Sequence, residues 1–267
     1  MDFRLILIAV LVVSGVGLII GVVLAVASSI MAVPTDEKVE ALTEALPGAN
    51  CGACGYSGCS GYAKALSAGE APLGKCSPGG EECVKELSKI LGVEAVSVEK
   101  KTALVHCMGS LDNTTDKMVY QGLDSCKAAM KLHGGVSSCS FGCLGLGDCM
   151  KVCPYGAISV CNSIAHIDPE LCRGCSMCVS ACPKHLISFV PLKDLAVVRC
   201  SNCQKGAEAN KVCKSACIGC KKCEKVCESG AVKVENFLAS VDSSKCTGCM
   251  KCVDACPKGA ITAFSVK

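Results

Sequence analysis

The chain has 267 residues, with 27 Cys, five Phe, four Tyr and no Trp. So few aromatic side chains cannot fill one large apolar core, and an odd number of thiols excludes a complete disulfide framework of the kind that staples short secreted domains. The formal charge of +3 counts every thiol as neutral, so it does not mark a nucleic-acid binder once the thiols are taken as metal ligands.

From Leu5 to Val33 the chain runs 29 residues without a charge. At about 1.5 Å of rise per residue this exceeds the roughly 30 Å of a bilayer's hydrocarbon core, so residues 1–33 are predicted to be a transmembrane anchor. Ala25-Val26-Ala27 has the small residues of a signal-peptide cleavage site. The apolar stretch is too long for a signal peptide, Arg4 is the only base before it, and export would carry the thiols away from cluster assembly. Arg4 before the span and Asp36, Glu37, Lys38, Glu40 and Glu44 after it lean weakly toward the opposite orientation. Reduced thiols overrule that bias. The expectation is a single pass through the inner (plasma) membrane with the soluble part on the cytoplasmic side. Gly17, Gly21, Ala25 and Ser29 fall four apart, a small-residue ridge that suits contact with other membrane subunits. Thr35 is predicted to cap a stiff connector helix striped by Val39, Leu42 and Leu46.

Residues 34–92 join that helix to a small 4Fe-4S domain. CGACGYSGC runs from Cys51 to Cys59 and Cys76 follows, which makes Cys51, Cys54, Cys59 and Cys76 the first predicted ligand set. Gly52, Gly55 and Gly58 free the backbone to wrap a cluster and aim amides at its sulfurs. A helix with Val84, Leu87, Ile90 and Leu91 on one side then stops at Gly92. Residues 93–135 read as a hairpin and connector, with Val93 to Val98 and Thr102 to His106 as strands across Glu99-Lys100-Lys101. His106 and His133 are expected to be structural.

Three uninterrupted copies of C-x2-C-x2-C-x3-C follow: Cys172, Cys175, Cys178, Cys182; Cys217, Cys220, Cys223, Cys227; and Cys246, Cys249, Cys252, Cys256. A stretched copy, Cys139, Cys143, Cys149 and Cys153 with Pro154, precedes them. This is the ligand spacing of bacterial ferredoxins, in which the last cysteine of each motif serves the other cluster of a pair. Cys153 to Cys182 and Cys227 to Cys256 are both 29 residues, which predicts two tandem two-cluster units over 136–195 and 196–267. Cross-ligation assigns Cys139, Cys143, Cys149 and Cys182 to a second cluster, and Cys153, Cys172, Cys175 and Cys178 to a third. Cys217, Cys220, Cys223 and Cys256 make the fourth, and Cys227, Cys246, Cys249 and Cys252 the fifth. Zinc is disfavoured, because zinc ribbons do not end in C-x3-C-P followed by the strand-opening Ala157-Ile158, Ala231-Val232 and Ala260-Ile261.

Two departures stand out. Glu228 replaces the proline after Cys227, and Leu146 occupies a ligand position of the first motif, so Cys139 must substitute there unless Cys107 or Cys126 does. Seven cysteines are left over: Cys83, Cys107, Cys126, Cys161, Cys200, Cys203 and Cys213. Five clusters are therefore expected, and Cys200, Cys203 and Cys213 are the trio that suggests a sixth. Five oxidised sites would add about −10 of charge, leaving a holoprotein near −7, so no nucleic-acid partner is expected. Lys214, Lys221, Lys222 and Lys225 form either a solvated face or a docking patch for an acidic redox protein.

The predicted fold class is thus α+β: an N-terminal transmembrane helix, a small 4Fe-4S domain and two tandem bacterial-type two-cluster ferredoxin units. In that order these blocks resemble the iron-sulfur B subunit of Rnf complexes, ion-pumping ferredoxin:NAD oxidoreductases. The stretch from Cys107 through GLDSC at 122–126 to CSFGCLGLGDCMKVCP is similar to the longer form of that protein. The resemblance implies that the chain accepts electrons from soluble reduced ferredoxin and relays them toward membrane, flavin-binding and NAD-binding partner subunits, with Na+ or H+ transport by the complex. It implies no catalytic NAD site in this chain. The rival is a polyferredoxin subunit of another membrane-bound reductase or dehydrogenase, where CGACGYSGC after an anchor is not expected.

Overall fold

The structure, a computed structural model, describes residues 3–30 and 36–265. Helix α1 (Phe3–Ile30) is 28 residues, about 42 Å by its rise. Among the described residues it is the one helix long and apolar enough to cross a membrane, and none of its Val10–Ala27 window is buried against protein. Gly17 and Gly21 face open space. The end of the predicted span at 31–33, Thr35, and the side chain of Ser29 lie outside the described residues.

The cap of α2 (Glu37–Glu44) is Asp36, whose side chain accepts a hydrogen bond from Lys38 N at 3.1 Å. This helix is not a free-standing connector. Leu42 and Leu46 are buried with Tyr62 and Leu66 of α3 (Cys59–Ser67) and Leu87 of α4 (Gly80–Leu91), so α2 forms one wall of the first cysteine domain. α4 ends at Gly92, which takes a left-handed φ of 72° that a residue with a side chain rarely adopts.

Beyond it the same element order occurs twice. The first repeat comprises β1 (Lys101–Val105), α5 (Cys126–Met130), α6 (Asp148–Lys151), the hairpin β2 (Ile158–Cys161) and β3 (Ile164–Ile167), α7 (Met177–Ala181) and β4 (Ile187–Pro191). The second comprises β5 (Leu195–Val198), α8 (Gly206–Val212), α9 (Lys222–Lys225), the hairpin β6 (Val232–Glu235) and β7 (Leu238–Val241), α10 (Lys251–Asp254) and β8 (Ile261–Phe264). In each repeat the first strand pairs antiparallel with the last, from Lys101↔Pro191 to Val105↔Ile187 and from Leu195↔Phe264 to Val198↔Ile261.

That pairing replaces the hairpin expected within 93–135. Val93 and Val96 are exposed, whereas Thr102, Ala103, Leu104 and Val105 are buried, so β1 gains more by completing the edge of β4 than by folding on its neighbour. Leu104 and Val190 then pack on Leu195 and Val197, which joins the two repeats face to face. The cores of the two repeats are small and mix aliphatic side chains with cysteine: Cys149 and Cys178 are buried in the first, Cys223 and Cys252 in the second.

Candidate metal centres

The short helices do the positioning. α6 and the turn after it hold Cys149 and Cys153, and α7 and its cap hold Cys178 and Cys182; Cys149 and Cys182 line one cavity while Cys153 and Cys178 line another. Cys153, Cys172, Cys175 and Cys178 line one cavity of about 10 Å3. Ala103 N, in β1, donates to Cys172 Sγ at 3.4 Å. The second repeat uses α9 and α10 in the same way: Cys217, Cys220, Cys223 and Cys256 line a cavity of about 20 Å3. Cys227, Cys246 and Cys249 lie near Cys252, whose thiol is pushed up by burial and by these neighbours.

The structure distributes the second predicted set over two cavities. The cavity holding Cys143, Cys149 and Cys182, about 20 Å3, is lined by Cys126 and not by Cys139. α5 starts at Cys126, and its first turn is fastened to α6, because Ser125 Oγ and Lys127 N both donate to Asp148 Oδ2 at 3.0 Å. Burial pushes the Cys126 thiol up, while the backbone N–H groups of Asp148 and Leu146 hydrogen-bond to its sulfur and pull it back. Leu146 thus supplies an amide where the motif lacks a thiol, and the thiol arrives from α5. Cys139 lines a different cavity together with Cys107, Cys200 and Cys213. Cys203, one of the tempting trio, is exposed, as is Cys161.

In the first domain Cys76 is buried, with Cys54 and Cys59 packed on the same core. Cys59 N donates to Asn50 Oδ1 at 2.8 Å, which ties the start of α3 to the glycine-rich loop. Burial, with charge at Cys76 and Cys54 adding to it, pushes the Tyr62 hydroxyl up to about 12, and this hydroxyl donates to Pro72 O at 2.9 Å. Cys83, which spacing did not select, belongs here: its thiol hydrogen-bonds to Cys76, holding Cys76 down to about 7 while its own pKa is raised. The only signal for it in the sequence is its place one helical turn after Gly79 and Gly80.

Both ring nitrogens of His106 are occupied, Nδ1 by Val198 O at 2.7 Å and Nε2 by Ser188 Oγ at 2.6 Å, and burial keeps its pKa down.

The chemistry of these donors suits iron-sulfur clusters. Burial pushes the Cys149 and Cys223 thiols up to about 11 and Cys178 to about 12, so without metal they are neutral, and ligation must release protons. Among the described residues no three His, Cys, Asp or Glu side chains converge on a position for a single ion. The thiols instead gather four at a time around small cavities, and a set of four thiols is the donor set that fits a 4Fe-4S group. The sites also adjoin: Cys51 lies near Cys175, and Cys149 near Cys178.

Four family models match the chain: a putative Fe-S cluster domain over 46–78, 4Fe-4S binding domains over 138–157 and 165–188, and a 4Fe-4S dicluster domain over 216–261. Among curated proteins, the B subunit of the Na(+)-translocating ferredoxin:NAD(+) oxidoreductase complex of Acetobacterium woodii is 40% identical over 85% of this chain and 68% of its own length. The B subunit of the ion-translocating oxidoreductase complex of Methanosarcina acetivorans is 37% identical over 86% of this chain and 88% of its own. The B subunit of the proton-translocating ferredoxin:NAD(+) oxidoreductase complex of Clostridium ljungdahlii is 38% identical over 86% of this chain and 81% of its own.

Proposed function

Since the chain belongs to the family of B subunits of ion-translocating ferredoxin:NAD(+) oxidoreductase (Rnf) complexes, we propose that it is the electron-uptake and relay subunit of such a complex. It takes electrons from reduced ferredoxin and passes them along a series of 4Fe-4S sites toward flavin- and NAD-binding partners. The series comprises Cys51, Cys54, Cys59, Cys76; Cys126, Cys143, Cys149, Cys182; Cys153, Cys172, Cys175, Cys178; Cys217, Cys220, Cys223, Cys256; and Cys227, Cys246, Cys249, Cys252. It runs through a membrane-proximal domain ending near 92 and two tandem two-cluster units, the first opening at β1 (Lys101–Val105) and the second at β5 (Leu195–Val198). α1 anchors the chain by a single pass, with the soluble part on the cytoplasmic side.

A bound 4Fe-4S cluster supplies a one-electron couple whose potential is set by hydrogen bonds and burial. The chain's own residues hold the sites, aim amides at their sulfurs and exclude water. The observation that carries the reading is the shared turns: one turn contributes Cys149 and Cys153 to adjacent sites, and Cys51 lies near Cys175. Leu5 to Val33 contains no ionisable residue, which supports ion transport through partner subunits. Uptake is assigned to the second repeat, where Lys214, Lys221, Lys222 and Lys225 are exposed around exposed Cys220. An acidic ferredoxin would be steered to such a face.

Stopped-flow mixing of the anaerobically purified full-length chain with reduced ferredoxin tests this. Ferredoxin should be oxidised while the EPR signals of reduced clusters appear. A chain with its full complement of iron that leaves ferredoxin reduced would remove the proposed role.

A further inference from the structure

The cavity that receives Cys139 is built by both repeats at once, from equivalent positions. Cys107 lies two residues after the end of β1 and Cys200 two residues after the end of β5. Each sulfur accepts an amide from the residue two further on, Gly109 N and Asn202 N, both at 3.4 Å. Each also accepts, at 3.3 Å, the amide of the first cysteine of the motif that follows, Cys143 N onto Cys107 and Cys217 N onto Cys200. The other two thiols match as well, for Cys139 stands four residues before Cys143 and Cys213 four before Cys217. The four thiols therefore form two copies of one device, facing each other across a small cavity of about 20 Å3, the size of the one at Cys217, Cys220, Cys223 and Cys256.

The lining is suited to an anion of thiolates and metal. Asn202, 1% exposed, donates from Nδ2 toward Cys139 Sγ at 3.7 Å. Arg199 lines the cavity with its Nε buried, and this is the one buried side-chain nitrogen or oxygen among the described residues without a hydrogen-bond partner. N–H donors on sulfur favour the thiolate form, and a buried guanidinium needs a negative group to face. Four neutral thiols packed as small apolar side chains would need neither.

We propose that Cys107, Cys139, Cys200 and Cys213 hold a sixth 4Fe-4S cluster, which joins the two repeats into one electron path. The inference rests on the reading of the other five sites as 4Fe-4S centres. One electron, originating from reduced ferredoxin, arrives from the site that includes Cys217, and the same electron leaves toward the site that includes Cys143. No bond or proton changes place. The amides of Cys217 and Cys143 already touch the two sulfurs at either end. Twenty-four of the 27 thiols are then assigned, leaving Cys83, Cys161 and Cys203.

Native mass spectrometry, with iron and acid-labile sulfide analysis of the anaerobically purified full-length chain, decides the matter. The wild-type chain should carry about twenty-four irons, C200A/C213A about twenty, and C203A about twenty-four. About twenty irons in the wild type, or no loss in the double variant, overturns the sixth site. The wild-type count decides even if the double variant folds poorly. Twenty irons with prompt oxidation of ferredoxin removes the sixth site alone, whereas twenty-four irons with ferredoxin left reduced removes the proposed uptake role alone.

Discussion

The two repeats solve the same problem with different lengths of chain. In the second, 17 residues separate Cys200 from Cys217, and the motif that follows carries its full set of thiols. In the first, 36 residues separate Cys107 from Cys143, and the motif has Leu146 in place of a thiol. The longer connection carries α5, and Cys126 at its start restores the missing donor against the amides of Leu146 and Asp148. What both repeats keep is the position of a sulfur relative to backbone N–H groups; the segment that delivers it is free to change.

The largest expected effect breaks that comparison directly. C126A should lose one cluster, about four irons per chain, whereas L146C/C126A should regain it by giving the first repeat the second one's motif. Iron counting with EPR checks both, and an unchanged C126A would return Cys139 to contention. Next in size is the asymmetry of charge. K221E/K222E/K225E should slow ferredoxin oxidation by about ten-fold at low salt and converge with wild type at high salt. A salt-independent change would point to structural damage instead of lost steering.

Smaller again is a comparison of matched glycines. At Gly145, φ +69°, an added Cβ would lie 2.6 Å from Ser163 O, and at Gly219, φ +63°, 2.9 Å from Phe237 Cα. Both are backbone atoms of the hairpin turns that cover the motif loops, and these cannot yield as a flexible side chain would. G145A and G219A should each destabilise by about 1–3 kcal/mol, with G145A the worse, read as earlier cluster bleaching on heating. The smallest effect is expected at Glu228, whose carboxylate pairs with Lys251 in full solvent. E228P, which gives the second repeat the proline the first has at Pro154, should leave the bleaching midpoint unchanged within error.

Much of the frame was legible because 29-residue offsets and short apolar runs are local properties of the chain. The strands opening at Ile158, Val232 and Ile261 follow from the Ala-Ile and Ala-Val pairs after each motif. What spacing could not supply is proximity created by strand pairing. β1 joins β4 across more than eighty residues, and only then do Cys107 and Cys200 face each other. The hairpin expected over Val93 to His106 failed for the same reason, since alternation identifies a strand without naming its partner. A trace was present nonetheless: Val-x-Cys closes both β1 and β5, and Cys-x3-Cys precedes both motifs, at Cys139–Cys143 and Cys213–Cys217. Cys126 left a fainter one, Ser125 before a short helix whose cap is tied to Asp148.

The pairing of β1 with β4 bears on how this protein can be cut. The cysteine motifs invite truncation at residue 136, just before the first of them. Such a fragment would lack β1, leaving the backbone groups of Ile187–Pro191 as an open edge and Ile187 uncovered. It would also lack Cys107 and Cys126, so two of its cavities would each be one donor short. Recombinant pieces begun there would be expected to aggregate and to reconstitute poorly, and a start between Gly92 and Lys101 keeps the strand and both thiols.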